Sequence, residues 1–344
     1  MPMNSIGTKR VLAALCALFG FACLSGIVAG CGSDDGRDAY IRSLKLKPKE
    51  IAPVDSIDLE ALEVYFATRL IKRGDWFLMQ DFPVRTHLVT AVNPARGEVL
   101  RFIPLGRGFG EIARSNPIYN TGGLFTVVDF ESNTVVSMDV EESLKRREAV
   151  LDTISHFRES GHFMTRPRHC RDGFIVSSYE DASYWYRLVD STGRELSTIP
   201  PIGSGLLYNE KHPALMMTNS YFAISPSGDK ICCASMHQTA LSFAWIEEGR
   251  LVEKCRVEIP SELRDPETFR GAWADDERVC LLYAGEDFVP PGTEADWLIM
   301  YDWEGRPQQC YHLAHPVWSP AVEGNRVYSL SVDPDCKIYV YQLD

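Results

Sequence analysis

Carboxylate side chains are the most numerous reactive groups in this sequence, and their spacing does not select a catalytic pair. Asp275-Asp276, Glu247-Glu248 and Asp333-x-Asp335 fall in turn-like segments, where acidic side chains commonly accept hydrogen bonds from nearby backbone N–H groups. Glycoside hydrolysis needs two carboxyls about 5–10 Å apart across a sugar, and nothing singles out such a pair. Gly203-Ser204-Gly205 lacks the strand-to-helix setting of a serine nucleophile. No catalytic residue is therefore predicted.

Histidine and cysteine are the next candidates, because both side chains bind transition metals. His312 and His315 are close in sequence, but further ligands would have to come from a distant histidine such as His169 or His237. Seven cysteines follow Cys31, an odd number without a Cys-x-x-Cys pair. This pattern indicates neither a zinc site nor a disulfide framework. We predict no metal and no other cofactor.

A glycine-rich segment, Gly106-Arg107-Gly108-Phe109-Gly110, raises the question of phosphate binding. A phosphate-binding glycine loop opens a helix whose N–H groups face the phosphate. Here Asn116-Pro117 and further strand-like runs follow. We favour a connection between two structural units, with phosphate binding as the alternative.

Short apolar runs bounded by turn residues must position any site. Arg278–Ala284 and Trp297–Trp303 are too short for packed helices and rich in β-forming residues. Glu304-Gly305-Arg306, between two such runs, is typical of a tight hairpin. Similar runs form six units at the spacing of about 40–50 residues that propeller blades show.

The sixth unit has only three strands, and this shortfall is informative. A ring of blades is closed when a strand from one terminus completes the sheet at the other, which removes exposed strand edges. The sequence therefore predicts an all-β fold, a six-bladed β-propeller whose last blade is completed by an N-terminal strand within residues 51–63. A helical turn is expected at Glu141–Glu148. A β-sandwich or a seven-bladed ring fits the pattern less well.

A ligand site is predicted at one end of the central channel, where the loops between second and third strands meet the connections between blades. The residues assigned to it are Arg85, Arg107, Arg114, Arg166, Arg168, Glu180, His237, Asp287, His315 and Trp318. The loop 284–296 is long enough to act as a lid. The alternative is that these arginines and acids pair with one another across blades.

The first 30 residues are typical of a targeting signal. Lys9-Arg10 precedes an uncharged apolar run that ends in Val28-Ala29-Gly30-Cys31. This ending resembles a bacterial lipobox, which implies cleavage and lipidation of Cys31. We predict a signal peptide over residues 1–30, a flexible tether over 31–49 and one propeller domain over 50–344. The alternative is a transmembrane anchor, since about twenty apolar residues span a bilayer.

Several motifs resemble those of one known family. Leu105–Ile112 is similar to the Gly-Arg-Gly-x-Gly-Glu-Phe segment of NHL-type propellers, with Phe109 where Pro is usual and Ile112 where Phe is usual. Ser225–Lys230 and Asp302–Gly305 resemble turns of the TolB-like six-bladed propeller lipoproteins of Bacteroidetes. The family implies a propeller on a lipid tether at the outer membrane, exposed at the cell surface or facing the periplasm. It supplies no catalytic residues.

Charge limits the choice of partner. Without the signal the chain has 33 basic and 47 acidic residues, since Lys9 and Arg10 are lost from the 35, and the net charge is 33 − 47 = −14. This balance argues against nucleic acid. We favour a binding or scaffolding module for a peptide, a glycan or an envelope protein, attached to the membrane only through the lipid on Cys31. A hydrolase or lyase at the channel mouth, with or without a metal, is the alternative, and a structural part of an envelope assembly is a third reading.

Overall fold

Strands make up most of the described chain and group into six sheets that follow one another along the sequence. The computed structural model describes residues 36–65, 67–81, 86–108, 111–113, 119–121, 124–129, 134–156, 164–178, 183–201, 220–236, 240–258, 269–284, 295–331 and 336–344. A helix and two short strands come first: α1 (Gly36–Ser43), β1 (Lys49–Ile51) and β2 (Asp55–Asp58). A 3₁₀ turn at Glu60–Leu62 leads into the first sheet.

The first three sheets, named blades 1 to 3, are four-stranded and antiparallel. Blade 1 contains β3 (Ala67–Arg73), β4 (Trp76–Asp81), β5 (His87–Asn93) and β6 (Glu98–Pro104). Blade 2 contains β7 (Tyr119–Thr121), β8 (Leu124–Asp129), β9 (Thr134–Asp139) and β10 (Val150–His156), with helix α2 (Val140–Arg146) between the last two. Blade 3 contains β11 (Met164–Cys170), β12 (Gly173–Ser178), β13 (Tyr186–Val189) and β14 (Glu195–Ile199).

Blades 4 to 6 repeat this order, and the last two receive strands from the N-terminus. Blade 4 contains β15 (Ser220–Ile224), β16 (Lys230–Ser235), β17 (Ala240–Glu247) and β18 (Arg250–Glu258). Blade 5 contains β19 (Phe269–Ala274), β20 (Arg278–Tyr283), β21 (Ala295–Asp302) and β22 (Pro307–Val317). Blade 6 contains β23 (Ser319–Glu323), β24 (Arg326–Ser331) and β25 (Lys337–Gln342).

Apolar side chains between neighbouring blades form the core. Six clusters of buried residues join blades 1 and 2, 2 and 3, 3 and 4, 4 and 5, 5 and 6, and 6 and 1. Each sheet is therefore covered on both faces, which explains why runs such as Ser220–Ile224 are buried at every position. The six clusters close a ring, and the chain is a six-bladed β-propeller, as predicted from the sequence.

The N-terminal strand closes the ring. β2 pairs antiparallel with β25, from Asp55 opposite Val340 to Asp58 opposite Lys337, and gives blade 6 its fourth strand. This confirms the strand expected within residues 51–63. β1 adds a further strand to blade 5, parallel to β22. The parallel strand was not predicted, because its three residues carry no strand pattern of their own.

The sequence predicts a flexible tether over residues 31–49, whereas in the structure Gly36–Ser43 form α1 and Lys49 begins β1; residues 31–35 lie outside the described residues. Tyr40 and Ile41 of α1 are buried in the cluster between blades 4 and 5. The hydroxyls of Tyr40 and Tyr301 form a short hydrogen bond there. Leu44 and Leu46 also pack against this cluster, and the segment is ordered by docking rather than by intrinsic helix preference.

Local side-chain bonds set the turns between strands. The Asp302 carboxylate accepts hydrogen bonds from the backbone N–H groups of Glu304 and Arg306, at 3.1 and 2.8 Å. Gly305 adopts a φ of 77° in the same turn, a conformation that glycine accepts without steric cost. The Asp139 side chain caps α2 through the N–H of Glu142 at 2.9 Å, and this helix confirms the helical turn expected there.

The first strand of each blade lies nearest the ring axis, and the first strands of blades 2 and 3, 4 and 5, 5 and 6, and 6 and 1 contact one another. Each of them ends in a hairpin at one end of the channel, named here the hairpin end. The connections between blades lie at the opposite end. Within the described residues no helix has the length and apolar character needed to cross a bilayer.

Candidate functional site

The inner strands enclose a cavity of about 490 Å³ on the ring axis. Four of them, β3, β15, β19 and β23, provide most of the wall, and Arg168 of β11 completes it. Tyr221, Trp273 and Pro320 give this wall its larger apolar surfaces. Gly271 is needed where β19 passes β23, since a Cβ atom there would lie 3.1 Å from Pro320 Cδ.

Arg69 crosses the channel from blade 1. It is the extra residue of a β-bulge between Thr68 and Leu70, and its φ of 58° lies in the left-handed region. A bulge bends the strand and redirects the side chain. The guanidinium consequently lies over the ring of Tyr221 in the opposite blade 4, 5.3 Å from its centroid. The guanidinium of Arg69 is therefore held at the cavity wall, in a cation–π contact with the aromatic ring.

The bulge is supported by a hydroxyl of the neighbouring blade. Ser319 Oγ accepts a hydrogen bond from the backbone N–H of Leu70 at 3.0 Å, in a buried position. The amide that the bulge removes from the strand ladder is thereby satisfied. The geometry at Arg69 is therefore built into the contact between blades 1 and 6.

Arg168 is the second cationic side chain of the wall, and only 5% of its surface is exposed. It follows an irregular step in the pairing of β11 with β12, where Thr165 pairs with Ser177 but Arg168 pairs with Ile175. A guanidinium stays charged at every accessible pH. A permanent positive charge is thus held at the channel wall.

The hairpin end of the cavity carries both signs of charge. Burial lowers the pKa of Arg73, and the carboxylates of Glu141 and Glu323 act against that shift. Asp275 is engaged in its own turn, since its carboxylate accepts from the backbone N–H of Arg278 at 2.7 Å and from its Nε at 3.1 Å. Glu141 and Asp275 are the acidic residues among the described lining. The described lining therefore carries arginine side chains at the level of β3 and β11, and both signs of charge at the hairpin end.

Of the ten side chains predicted to bind a ligand, Arg168 lines this cavity. His315 lies on the outermost part of blade 5, where its ring stacks on Tyr339 of blade 6 at a centroid distance of 4.7 Å. Trp318 begins the step from β22 to β23, and its backbone N–H donates to Leu330 O at 2.7 Å. The described cavity lining includes neither His315 nor Trp318.

The other predicted residues are distributed as follows. Arg107 lies in the exposed connection between blades 1 and 2. Arg166 is in β11, within the irregular step before Arg168. The five that lie outside the described residues are Arg85, Arg114, Glu180, His237 and Asp287. The alternative of a hydrolase or lyase at the channel mouth stays a prediction.

The glycine-rich segment is a compact turn in the connection from β6 to β7. Gly108 N–H donates to Glu111 Oε2 at 2.7 Å, and Gly106 N–H donates to Ile112 O at 3.1 Å. A Cβ atom on Gly106 would lie 1.9 Å from Glu111 Oε2. The carboxylate of Glu111 therefore fills the space inside the glycines, and this segment connects two blades as favoured from the sequence.

The seven cysteines that follow Cys31 all lie in described segments and are free thiols. Burial raises the pKa of the Cys170 and Cys310 thiols to about 12. A thiol reacts as its thiolate, so these two side chains act as small apolar groups of the core. Within the described part of the chain, no cluster of three or more His, Cys, Asp or Glu could hold a metal ion.

Sequence reasoning missed Arg69, Arg73, Tyr221 and Trp273 as channel residues. One signal was present: Arg69 interrupts the strand predicted over residues 64–71, and Arg73 begins the turn predicted after it. Charged residues are rarely buried without a reason. The direction of the Arg69 side chain depends on the β-bulge between Thr68 and Leu70, and no sequence pattern marks that bulge.

Comparison with known proteins defines the fold. No family model and no curated protein matches the chain. A solved member of the DUF4221 family from Bacteroides vulgatus is similar at 9% identity with a TM-score of 0.55, over 87% of this chain and 96% of that chain. The β-propeller domain of Cps50 (Swd1) from Myceliophteria thermophila is similar at 10% identity with a TM-score of 0.52, over 86% and 100%.

The chain has the β-propeller fold of these structures. At this level of identity the likeness concerns the fold alone, which many unrelated functions share. Function therefore has to be argued from the cavity and its residues. Membership of the TolB-like or NHL-type families stays a prediction.

Proposed function

We propose that this protein is a lipid-anchored binding module of the bacterial cell envelope, and that its ligand enters the central channel. The cavity of about 490 Å³ on the ring axis carries the proposal. Ligand pockets of proteins commonly enclose about 300–1,000 Å³ between apolar walls with a few polar groups. The apolar surfaces of Tyr221, Trp273 and Pro320 beside the guanidinium of Arg69 follow that pattern.

The rigidity of the ring supports a binding role. The walls are strands whose other side chains are fixed in the clusters between blades, so the cavity is formed before a ligand arrives. A preorganised site loses little conformational entropy on binding. A peptide segment or a glycan unit has a size and polarity that match this cavity, and a partner protein would present such a segment.

The membrane anchor is the second part of the proposal. Lys9-Arg10, the apolar run and Val28-Ala29-Gly30-Cys31 support a lipoprotein signal. A location at the outer membrane, outside the cell or facing the periplasm, and kinship with the TolB-like and NHL-type propellers are proposed on the same motifs. Lipid on Cys31 would leave the propeller as the only part that meets ligands.

A melting-temperature screen of the full-length protein against glycan and peptide libraries tests the binding role. We expect one ligand class to raise the melting temperature, since a ligand that binds only the folded state stabilises it. Ala272 lines the cavity, so Ala272→Phe should abolish the shift. The matched control Ala314→Phe places the same side chain on the exposed outer strand β22 and should retain it. A shift that survives Ala272→Phe, or no shift with any ligand class, would reject channel binding.

Protease treatment of intact cells tests the anchor. A surface lipoprotein should be digested in whole cells, and a chain that faces the periplasm should be protected until the outer membrane is opened. Cys31→Ala should release the protein into the soluble fraction and abolish incorporation of labelled fatty acid. Labelling that persists in Cys31→Ala would contradict lipidation at this residue.

A further inference from the structure

Three of the inner strands each contain a β-bulge in their described residues. β3 has one extra residue, Arg69, relative to its partner strand. β19 has one extra residue at Arg270, between Phe269 and Gly271. β11 has one extra residue within Arg166-Pro167, directly before Arg168. Each of these bulges therefore contains or adjoins an arginine.

The bulged strands alternate with regular ones around the ring. They belong to blades 1, 3 and 5, so they approach the channel from three directions. Within the described residues, the first strands of blades 2, 4 and 6 pair in step with their neighbours. Their sequences, Tyr119–Thr121, Ser220–Ile224 and Ser319–Glu323, contain no arginine. The arrangement approximates threefold symmetry about the channel axis.

We propose that these bulge arginines form a binding site for the anionic oxygens of the channel ligand, the carboxylate or phosphate groups of a small polyanion. The inference deepens the proposed function and rests on it. Arg69 and Arg168 line the cavity, and Arg270 is 9% exposed on an inner strand. Arginine suits this role because its planar fork donates two parallel hydrogen bonds to one carboxylate or phosphate.

The surroundings strengthen attraction for an anion. Apolar surface lies beside Arg69 at Phe222 and Ala223 of β15, next to the ring of Tyr221. A charge interacts more strongly beside such surface than in bulk water. The acids Glu141 and Asp275 lie at the hairpin end, as does Arg73, which follows Arg69 by four residues, about 13 Å along an extended strand. The anion site is therefore placed away from them, at the level of the bulges.

The backbone at Arg69 agrees with a binding role. A non-glycine residue in the left-handed region is retained where surrounding structure enforces it, often at ligand sites. Here the bond from Leu70 N–H to Ser319 Oγ and the stacking on Tyr221 both hold the bulge in place. The same two contacts aim one guanidinium across the channel.

The test is titration calorimetry and thermal melting of the full-length protein with citrate as the carboxylate probe and pyrophosphate as the phosphate probe. Ionic strength is matched with sodium chloride, and glucose is the neutral probe. We expect saturable binding of at least one anion, and the better one identifies the source of the oxygens. Arg69→Gln and Arg270→Gln should each weaken it about tenfold or more, the usual effect of losing a hydrogen bond to a charged group. Arg69→Lys should bind more weakly than the native protein, because it keeps the charge without the fork.

Arg306→Gln is the matched control, since that arginine sits on an exposed hairpin of blade 5, paired with Asp302 and Glu304. Its anion affinity should equal that of the native protein. If circular dichroism shows that an arginine variant is unfolded, Tyr221→Leu replaces it, because this change removes the surface under Arg69 and leaves every charge in place. It should also weaken anion binding.

The outcomes separate the two proposals. Binding of neutral glycans or peptides that Ala272→Phe blocks, without binding of either anion, would overturn the arginine site and leave the proposed function intact. Equal loss of anion binding in Arg306→Gln and Arg69→Gln would also overturn it, since the effect would then be one of overall charge. Absence of binding by every probe and library ligand would reject both.

Discussion

The N-terminal seam and the channel are built in opposite ways. The seam is defined as residues 36–58 together with the surfaces of blades 4, 5 and 6 that they cover. There Tyr40 is 1% exposed and packs against the rings of Phe269 and Tyr283, with centroids 5.9 and 4.9 Å away. In the channel Arg69 carries a permanent charge on a left-handed backbone.

This difference indicates which region stabilises the fold and which one is shaped for binding. Buried aromatic area at the seam contributes to stability, since burial of apolar surface is the main favourable term in folding. Charge and backbone strain in the channel act against stability and are retained where function needs them. Substitutions at the seam should therefore lower the free energy of unfolding, and substitutions that relieve strain in the channel should raise it.

The largest effect is expected on removing the seam. A chain that begins at Leu59 lacks α1, β1 and β2, which leaves blade 6 with three strands and an exposed edge along β25. Exposed edges pair with other chains, so we expect aggregation or loss of cooperative unfolding, measured by size-exclusion chromatography and circular dichroism. The control chain begins at Gly36 and should fold. A well-folded monomer that begins at Leu59 would contradict the role of the seam.

Tyr40 should account for a large part of the seam's stability. Loss of a buried aromatic side chain usually costs about 3–5 kcal/mol, and we expect Tyr40→Ala to lower the free energy of unfolding in urea by that amount. Tyr40→Phe leaves the hydroxyl of Tyr301 buried without its partner, at a cost of about 1–3 kcal/mol. Replacing both tyrosines by phenylalanine should cost less than the sum of the single changes. Additive single changes would show that the hydroxyl pair is not coupled.

Replacing Arg69 by glycine should raise the free energy of unfolding, in contrast to the substitutions at Tyr40. A non-glycine residue in the left-handed region costs about 1–2 kcal/mol, and Arg69→Gly relieves this strain together with the charge. Lost stacking on Tyr221 offsets part of the gain, so we expect the free energy of unfolding to rise by up to about 1 kcal/mol. Arg69→Ala keeps the strain and should be less stable than Arg69→Gly. A marked loss of stability in Arg69→Gly would place this residue with the seam instead.

The smallest effect concerns pH at blade 3, where the ring of His169 contacts that of Phe174. Burial lowers the pKa of His169, and the charge of Asp152 acts in the other direction. The unfolded chain therefore binds a proton more readily than the folded one, and stability should fall as pH drops through the ordinary histidine pKa of about 6.5. His169→Gln should reduce this fall between pH 7.5 and 5.5 in urea titrations. An unchanged pH dependence would exclude His169 as its source.

Local pattern was enough for most of the fold. The apolar run Arg278–Ala284 predicts a strand with nearly the bounds of β20, Arg278–Tyr283, because turn residues bound this short run. β3 is different: the sequence predicts a strand over 64–71, and the strand runs over 67–73. The bulge at Arg69 is a response to neighbouring blades, and no turn residue marks it.

The candidate site was predicted less well for the same reason. Arg168 lines the cavity, whereas His315 packs on Tyr339 in a neighbouring blade. The order of loops along the chain indicates which end of the ring a residue approaches. The direction of its side chain depends on the exact register of strand pairing. A single extra residue in a strand reverses the face of the sheet on which every later side chain lies.

The sequence by itself determined the six repeated units, the closure by an N-terminal strand and the turns, because those features follow from nearest-neighbour preferences and from the alternation of apolar runs with turn residues. Only the tertiary structure decided that residues 36–49 dock and that arginines from alternate blades stand at bulges beside one channel. Both outcomes arise from contacts between residues far apart in the chain, such as Tyr40 with Tyr301 and Leu70 with Ser319, and such contacts exist only after the ring has closed.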